Sequence, residues 1–301
     1  MESVADVTTE FKANVKRTNN SVKKTNNTIN RKGNIGIYIL LVIWSVVILL
    51  PLVWLLNSSL KEQTDLMSNV WGPPKKFLFS NFSIVWNESG MGRNMLNSIL
   101  VCAVSVALTI VTSVPIAFVV SRFRFKFNKV IYFFVITGMM LPIQAAVIPI
   151  YIEAMKFHLT NNLVALSFIY AAFRVPFSVF ILDGFMATIP KELEECAIID
   201  GCGIWKIFTR IITPLSIDGI ATISILTILS SWNEMLLSML LVSSMTLKTL
   251  PVGLMGFVSE YSAQYTQLCA GLLIALVPGL VFYALAQDRI VKGLTAGAVK
   301  G

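Results

Sequence analysis

Apolar residues run almost unbroken through six long stretches of this chain, and the polar residues gather between them. The stretches cover approximately Ile37 to Leu56, Ile99 to Val120, Val130 to Ile150, Leu163 to Phe185, Ile220 to Leu241 and Cys269 to Leu285. Each is long enough to cross about 30 Å of hydrocarbon as a helix. Barrel strands would alternate apolar and polar positions, and these runs do not. The pattern therefore predicts an all-α integral membrane protein with six transmembrane helices. The fifth stretch is the least uniform, because Trp232, Asn233 and Glu234 interrupt it and leave its outer boundary open. Residues 1–34 are rich in Asn, Thr, Lys and Arg and show no apolar periodicity, which predicts a disordered basic cytoplasmic tail. Residues 35–94 then hold the first span and an outer loop, and 95–301 form a core of five spans. The first span is too long for a signal-peptide core and has no small-residue cleavage site behind it, so it is expected to stay attached.

Composition supports the bilayer as solvent. Of the 301 residues, 55% are hydrophobic and 13% charged, with a mean hydropathy of +0.75. A soluble domain of this size could not hide that much apolar surface. The net charge of +8 does not point to nucleic acid, because the basic residues sit in short clusters between apolar runs. Seventeen Lys and Arg lie in the tail, the loops and the C-terminus on one side of the spans, against six on the other. By the positive-inside rule both termini are cytoplasmic. The run Arg122, Phe123, Arg124, Phe125, Lys126 and Lys129 suits a segment at the inner interface, with rings in membrane lipid and cations among headgroups.

Catalytic chemistry has no foothold in this sequence. Cys102 and Cys269 lie in apolar spans, while Cys196 and Cys202 share a cytoplasmic loop without zinc-like spacing, and the one histidine is His158. Neither a disulfide framework, a metal site nor a cofactor is expected. No G-x-x-x-x-G-K-[ST] motif is present, so any ATP used must be bound by another chain.

The loop at 188–216, between spans four and five, carries the most specific pattern. Pro190 suits the first turn of a helix, and Glu192, Glu194 and Glu195 follow where the positive end of the helix dipole favours them. Gly201 and Gly203 end that helix, and a second begins near Ile204. Leu193, Ala197 and Asp200 or Gly201 recur at helical spacing, which predicts a short docking face. On physical grounds alone such a loop could equally be a solvated connection without a partner.

This loop resembles the permeases of bacterial ATP-binding-cassette (ABC) importers, which share E-A-A, three residues, G, nine residues and I-x-L-P. The pattern falls here on Glu195, Cys196 and Ala197, then Gly201, then Ile211 and Pro214, with Cys196 in place of an alanine and Thr213 in place of the leucine. The resemblance covers about Asn94 to Gly301 and is strongest to the carbohydrate-uptake branch, in particular the second permease of maltose-type systems. Supporting segments are Asn97-Ser98, Arg122 to Phe125, Pro142, Pro149, Trp232 to Glu234, Leu250 to Gly253 and the end from Gly293 to Gly301. The resemblance implies the type I ABC importer permease fold and a binding-protein-dependent importer of an oligosaccharide or related polyol. It also implies a second homologous permease, two ABC ATPase subunits and an extracytoplasmic solute-binding protein that touches the outer loop from Ser243 to Gln267. Glu194, Glu195, Cys196, Ala197, Asp200, Gly201, Ile211 and Pro214 would then couple this chain to the ATPase. An importer of a non-sugar solute, a secondary transporter and a membrane scaffold are the alternatives.

Four polar residues within the spans are candidates for a translocation path. Arg174 lies near mid-bilayer, where an unpaired cation is expensive, so it either lines the path, pairs with an acid such as Glu234 or Glu153, or orders packing. Gln144 follows Pro142, whose freed carbonyls are tolerated where they line a cavity or find a donor. Asn233 and Glu234 are either path residues or interfacial anchors beside Trp232. In span six, Gly271 and Ala275 have the spacing that allows close helix approach, within the subunit or with a partner.

Overall fold

The computed structural model of the protein describes residues 31–258 and 263–298. Most of the predicted tail, and the last three residues of the Gly293–Gly301 segment, lie outside them. The described residues are almost entirely helical and contain no strand. They fall into two compact units, one ending at Leu55 and the other beginning at Leu56.

Helix α1 (Arg31–Ser59) starts six residues before the apolar run that marks it in the sequence. From Ile37 to Leu50 its apolar side chains are exposed, which in water would be untenable and in lipid is the expected surface. In the second unit, α2 (Gln63–Ser68) opens an outer loop closed on itself by polar contacts. The Lys61 ammonium is fully buried there and donates to the carbonyls of Asn69 and Val70 at 2.6 and 3.3 Å. Asn81 donates back to the carbonyls of Ser59 and Lys61 at 2.8 and 2.9 Å.

Span two is α3 (Met91–Arg122), a single uninterrupted helix. Span three is bent: α4 (Asn128–Thr137) and its continuation to Met140 meet α5 (Ile143–Lys156) at 97°. Pro142 stands between them in extended conformation and has no N–H to carry the helix through. Span four is α6 (Leu163–Ala187), capped by the Asn162 side chain, which accepts from the backbone N–H groups of Val164 and Ala165.

The loop helix α7 (Glu192–Ile199) leads to α8 (Ile204–Ile207), which runs on through a widened turn to Leu215. Span five, α9 (Ile217–Asn233), follows at 69°. It ends eight residues short of the Leu241 that the apolar run suggests, because the backbone turns extended at Glu234. The remaining apolar residues form a separate short helix, α10 (Leu236–Leu241). After α11 (Leu250–Leu254), span six is α12 (Tyr265–Ala298). Among the described residues, four helices are thus long and apolar enough to cross a membrane, and six spans result when each bent pair counts as one.

Spans two and four make the most extensive contact, and span five packs on both. Their halves nearest the loop at 188–216, the inner halves in the expected orientation, share one apolar cluster, which includes Val114, Phe118, Leu182, Met186 and Ile223. An outer cluster joins Val101, Val147, Leu166 and Tyr170 to Leu237 and Leu241 of α10. Gly271 lies so close to Leu254 that a Cβ would meet its Cδ2 at 2.8 Å, so the small face of span six serves a contact within this chain.

Candidate functional site

The loop at 188–216 is built into the core. Ala197 of α7, with Ile207 and Ile212 beyond it, joins the inner cluster of spans two, four and five. Glu194 reaches the Arg122 guanidinium at the end of span two, with Nε to Oε1 at 2.8 Å and the two side chains 5% and 15% exposed. Arg122 also donates to the Ile189 carbonyl at 3.0 Å. A buried pair of this kind gains its strength from geometry, and either charge alone would be costly.

These anchors correct the docking face read from spacing. Glu194 and Ala197 turn inward, while Leu193, Glu195, Cys196, Ile198, Ile199 and Asp200 point outward. The outward group includes Ile199 at 84% exposed, the most water-facing isoleucine of the loop. Helical periodicity supplies both faces equally; the Arg122 ion pair decides which one faces in. Pro190 stands one residue before the N-cap Lys191 and outside the first turn.

The glycine turn has a specific geometry. Gly201 has φ +77°, the left-handed region, and a Cβ there would meet nothing within 4 Å. Glycine is needed at this position for conformation and not for room. The N–H of Gly201 bonds to the Ile198 carbonyl at 3.0 Å, and that of Cys202 to the Ala197 carbonyl at 2.8 Å. This double bond pattern is the Schellman termination of a helix. Gly203 has an ordinary φ of −72° and open space around it, so neither reason applies there. Further along, Ile211 is half-buried against the inner cluster and Pro214 is exposed. The widened turn at Phe208–Ile212 ends two residues before Pro214.

The four candidate path residues are not brought together. Glu234 is a structural tie: its carboxylate accepts from the Tyr170 hydroxyl of span four and from the N–H groups of Leu237 and Ser238 at 2.9 and 3.3 Å. It therefore caps α10, the helix that the sequence reading had merged into span five. Asn233 is exposed and donates to the Leu229 carbonyl of its own helix at 2.7 Å. Trp232 is buried, and its indole donates to the Ala275 carbonyl of span six at 3.3 Å, which excludes it as a lipid-facing anchor. Arg174 pairs with neither proposed acid, since Glu234 serves Tyr170 and Glu153 serves Lys156 at 2.7 Å. Arg174 is half-buried, and Gln144 is exposed in the first turn of α5.

Polar residues outside the candidate path set pin the outer ends. Asn161, at φ +54°, accepts from the N–H groups of Ser243 and Ser244 at 2.9 and 2.8 Å. Asn97 donates to the carbonyls of Thr246 and Lys248, and the Ser98 hydroxyl accepts from Leu250 N–H at 2.8 Å. The pair Asn97-Ser98 was legible as a motif; its partners, some 150 residues away, were not. Beside these contacts opens an outer cavity of about 880 Å3 with Trp86, Glu88, Arg93, Lys248 and Gln267 in its wall.

Comparison with known proteins matches this architecture. Residues 110–295 fit the family described as binding-protein-dependent transport system inner membrane component. The chain is 30% identical to the diacetylchitobiose uptake system permease protein NgcG of Streptomyces coelicolor, over 87% of each chain. It is 32% identical to the melibiose/raffinose/stachyose import permease protein MelC of Bacillus subtilis, over 84% of this chain and 91% of that protein. Among solved structures, it superposes with a TM-score of 0.77 on a chain of a bacterial ABC transporter involved in the import of the acidic polysaccharide alginate, at 21% identity and covering 87% of this chain and 98% of that one. The six-span helical core, the glycine-terminated loop helix and the family match over most of that core together place this membrane chain in the family of binding-protein-dependent transport system inner membrane components.

Proposed function

We propose that this chain is one permease subunit of an ATP-driven importer of oligosaccharides, working with a second homologous permease, two ABC ATPase subunits and an extracytoplasmic solute-binding protein. The observation that carries the reading is the loop helix Glu192–Ile199, fixed to the spans on one face and open on the other. Glu195, Cys196, Ile198, Ile199 and Asp200 form the open face, which would seat on the ATPase. Gly201 ends that face, while Ile211 and Pro214 carry its motion into span five. Glu194 and Ala197 act by holding the helix to span two. With the docking loop and the basic excess on one side, both termini are cytoplasmic. The chain performs no covalent step of its own; ATP closure would rotate the spans as a body and turn the cavity from inward to outward.

Sugar is favoured as cargo because the related permeases are named for diacetylchitobiose and for melibiose, raffinose and stachyose. Within the membrane, Arg174 and Gln144 are the candidates left free to meet solute, with Asn233 at the outer rim. The outer cavity, with its aromatic wall and mixed charges, suits the solute-binding protein.

The test is co-purification of the tagged chain from native membrane, followed by uptake in proteoliposomes. Recovery of an ATPase and a second permease, both lost in Glu195→Ala/Gly201→Val, supports the reading, as does vanadate-sensitive oligosaccharide uptake. Uptake abolished by a protonophore and indifferent to vanadate would indicate a secondary transporter. ATP-driven uptake of only non-sugar solutes would overturn the cargo assignment. Arg174→Met with intact assembly and lost transport would place that residue in the path, whereas lost assembly would make it a packing residue.

A further inference from the structure

An apolar cavity at the inner end of span two is not accounted for by ATPase docking. Its volume is about 240 Å3, and its wall includes Pro115, Val119 and Phe123 from span two and Ile204, Trp205 and Phe208 from the segment after the glycine turn. The rings meet one another in a continuous row. Phe123 meets Phe118 edge-on at 5.6 Å, Phe118 meets Phe208 at 5.0 Å, and Phe208 meets Trp205 at 6.0 Å. Trp205 is nonetheless 73% exposed.

Depth and charge identify what covers this wall. From Pro115 to Phe123 a helix rises about 12 Å, so with the orientation proposed above the cavity would begin at the inner headgroup level and extend into the acyl region. Basic residues neighbour its wall along the chain. Arg124 follows Phe123, Lys206 follows Trp205, and Arg210 lies one turn beyond, all three exposed. Neither contributing segment supplies an acid to neutralise them: Asp and Glu are absent from 89 to 152 and from 201 to 217. An apolar wall with exposed cations beside it in the chain matches the two ends of a single amphipathic anion, and tryptophan favours that boundary.

We propose that this cavity holds an acyl chain of one anionic phospholipid, with the lipid phosphate held by Arg124 and Lys206. Because span two supplies one wall and the segment behind Gly201 the other, the lipid bridges the joint between the membrane helices and the cytoplasmic loop. The site does not depend on the ATPase reading, since its wall and the cations beside it come from this chain alone.

The experiment uses the purified chain, with whatever subunits accompany it, in nanodiscs of phosphatidylglycerol or phosphatidylcholine carrying brominated acyl chains. Bromine quenches indole emission on contact, and the difference between the unaltered protein and Trp205→Phe isolates Trp205 from the other tryptophans. The expected result is quenching several-fold stronger with phosphatidylglycerol. The preference should vanish in Arg124→Gln/Lys206→Gln, whose exposed side chains can change without disturbing the core. Equal quenching by both lipids would reduce the site to ordinary lipid contact and overturn the proposal. Trp205 unquenched by either lipid would mean that protein covers the wall, which overturns it as well.

Discussion

The inner and outer ends of the span bundle are held by different means. At the inner end, a short loop helix is clamped by one ion pair, Arg122 to Glu194, and by apolar burial of Ala197, Ile207 and Ile212. At the outer end, the chain is tied by single side chains: Glu234 joins the Tyr170 hydroxyl to the start of α10, Asn161 holds Ser243 and Ser244, and Asn97 and Ser98 hold residues 246–250. A clamp that fixes one face of a helix leaves its opposite face free as a rigid surface, which suits the transmission of force. A net of separate hydrogen bonds fixes loops in place while each bond contributes little, so that end can yield one bond at a time.

The sharpest way to break this contrast is Arg122→Met. It leaves Glu194 buried without a counter-charge and should cost roughly 3–5 kcal/mol, read as a lowered unfolding temperature in detergent. Arg122→Met/Glu194→Met should recover most of that loss, and a failure to recover would show that the pair does more than satisfy itself. Glu234→Ala should come next, at about 1–3 kcal/mol for the unsatisfied Tyr170 hydroxyl and the uncapped N–H groups. Hydrogen exchange should then accelerate in Leu236–Leu241 while α7 keeps its protection.

Gly201→Ala places a Cβ in the left-handed region and should cost about 1–2 kcal/mol, with a matching fall in uptake. Gly203→Ala, at ordinary φ and in open space, should be close to neutral. Equal losses at the two glycines would undo the assignment of the turn to Gly201. The smallest effect is expected from Asn161→Ala, about 0.5–1.5 kcal/mol, seen as faster exchange at Ser243 and Ser244 with no change at the inner end.

Residue chemistry explains which of these features were legible in advance. Local rules located α7: three acids in its first turn and a glycine past its end are signals carried by neighbours in the chain. The long apolar runs placed all six spans, since the bilayer imposes length and composition on each helix separately. The bend at Pro142 and the break at Glu234 were less accessible. Proline marked the first as a place where a helix can yield, but not by 97°. The second lies within residues that are still apolar on both sides, so hydropathy ran through it to Leu241.

The sequence by itself determined the membrane solvent, the number and rough limits of the spans, the basic side, and the loop motif that places the chain among importer permeases. All of these depend on composition or on residues within a few positions of one another. The tertiary structure alone decided that Glu194 and Ala197 face inward, that Glu234 binds Tyr170 across 64 residues of chain, and that Arg174 is left without either of its expected acids. Each of those outcomes is a choice between equally spaced or equally charged alternatives. Helical periodicity offers both faces of α7 and Coulomb attraction offers Arg174 more than one acid; only the packing of distant helices selects among them.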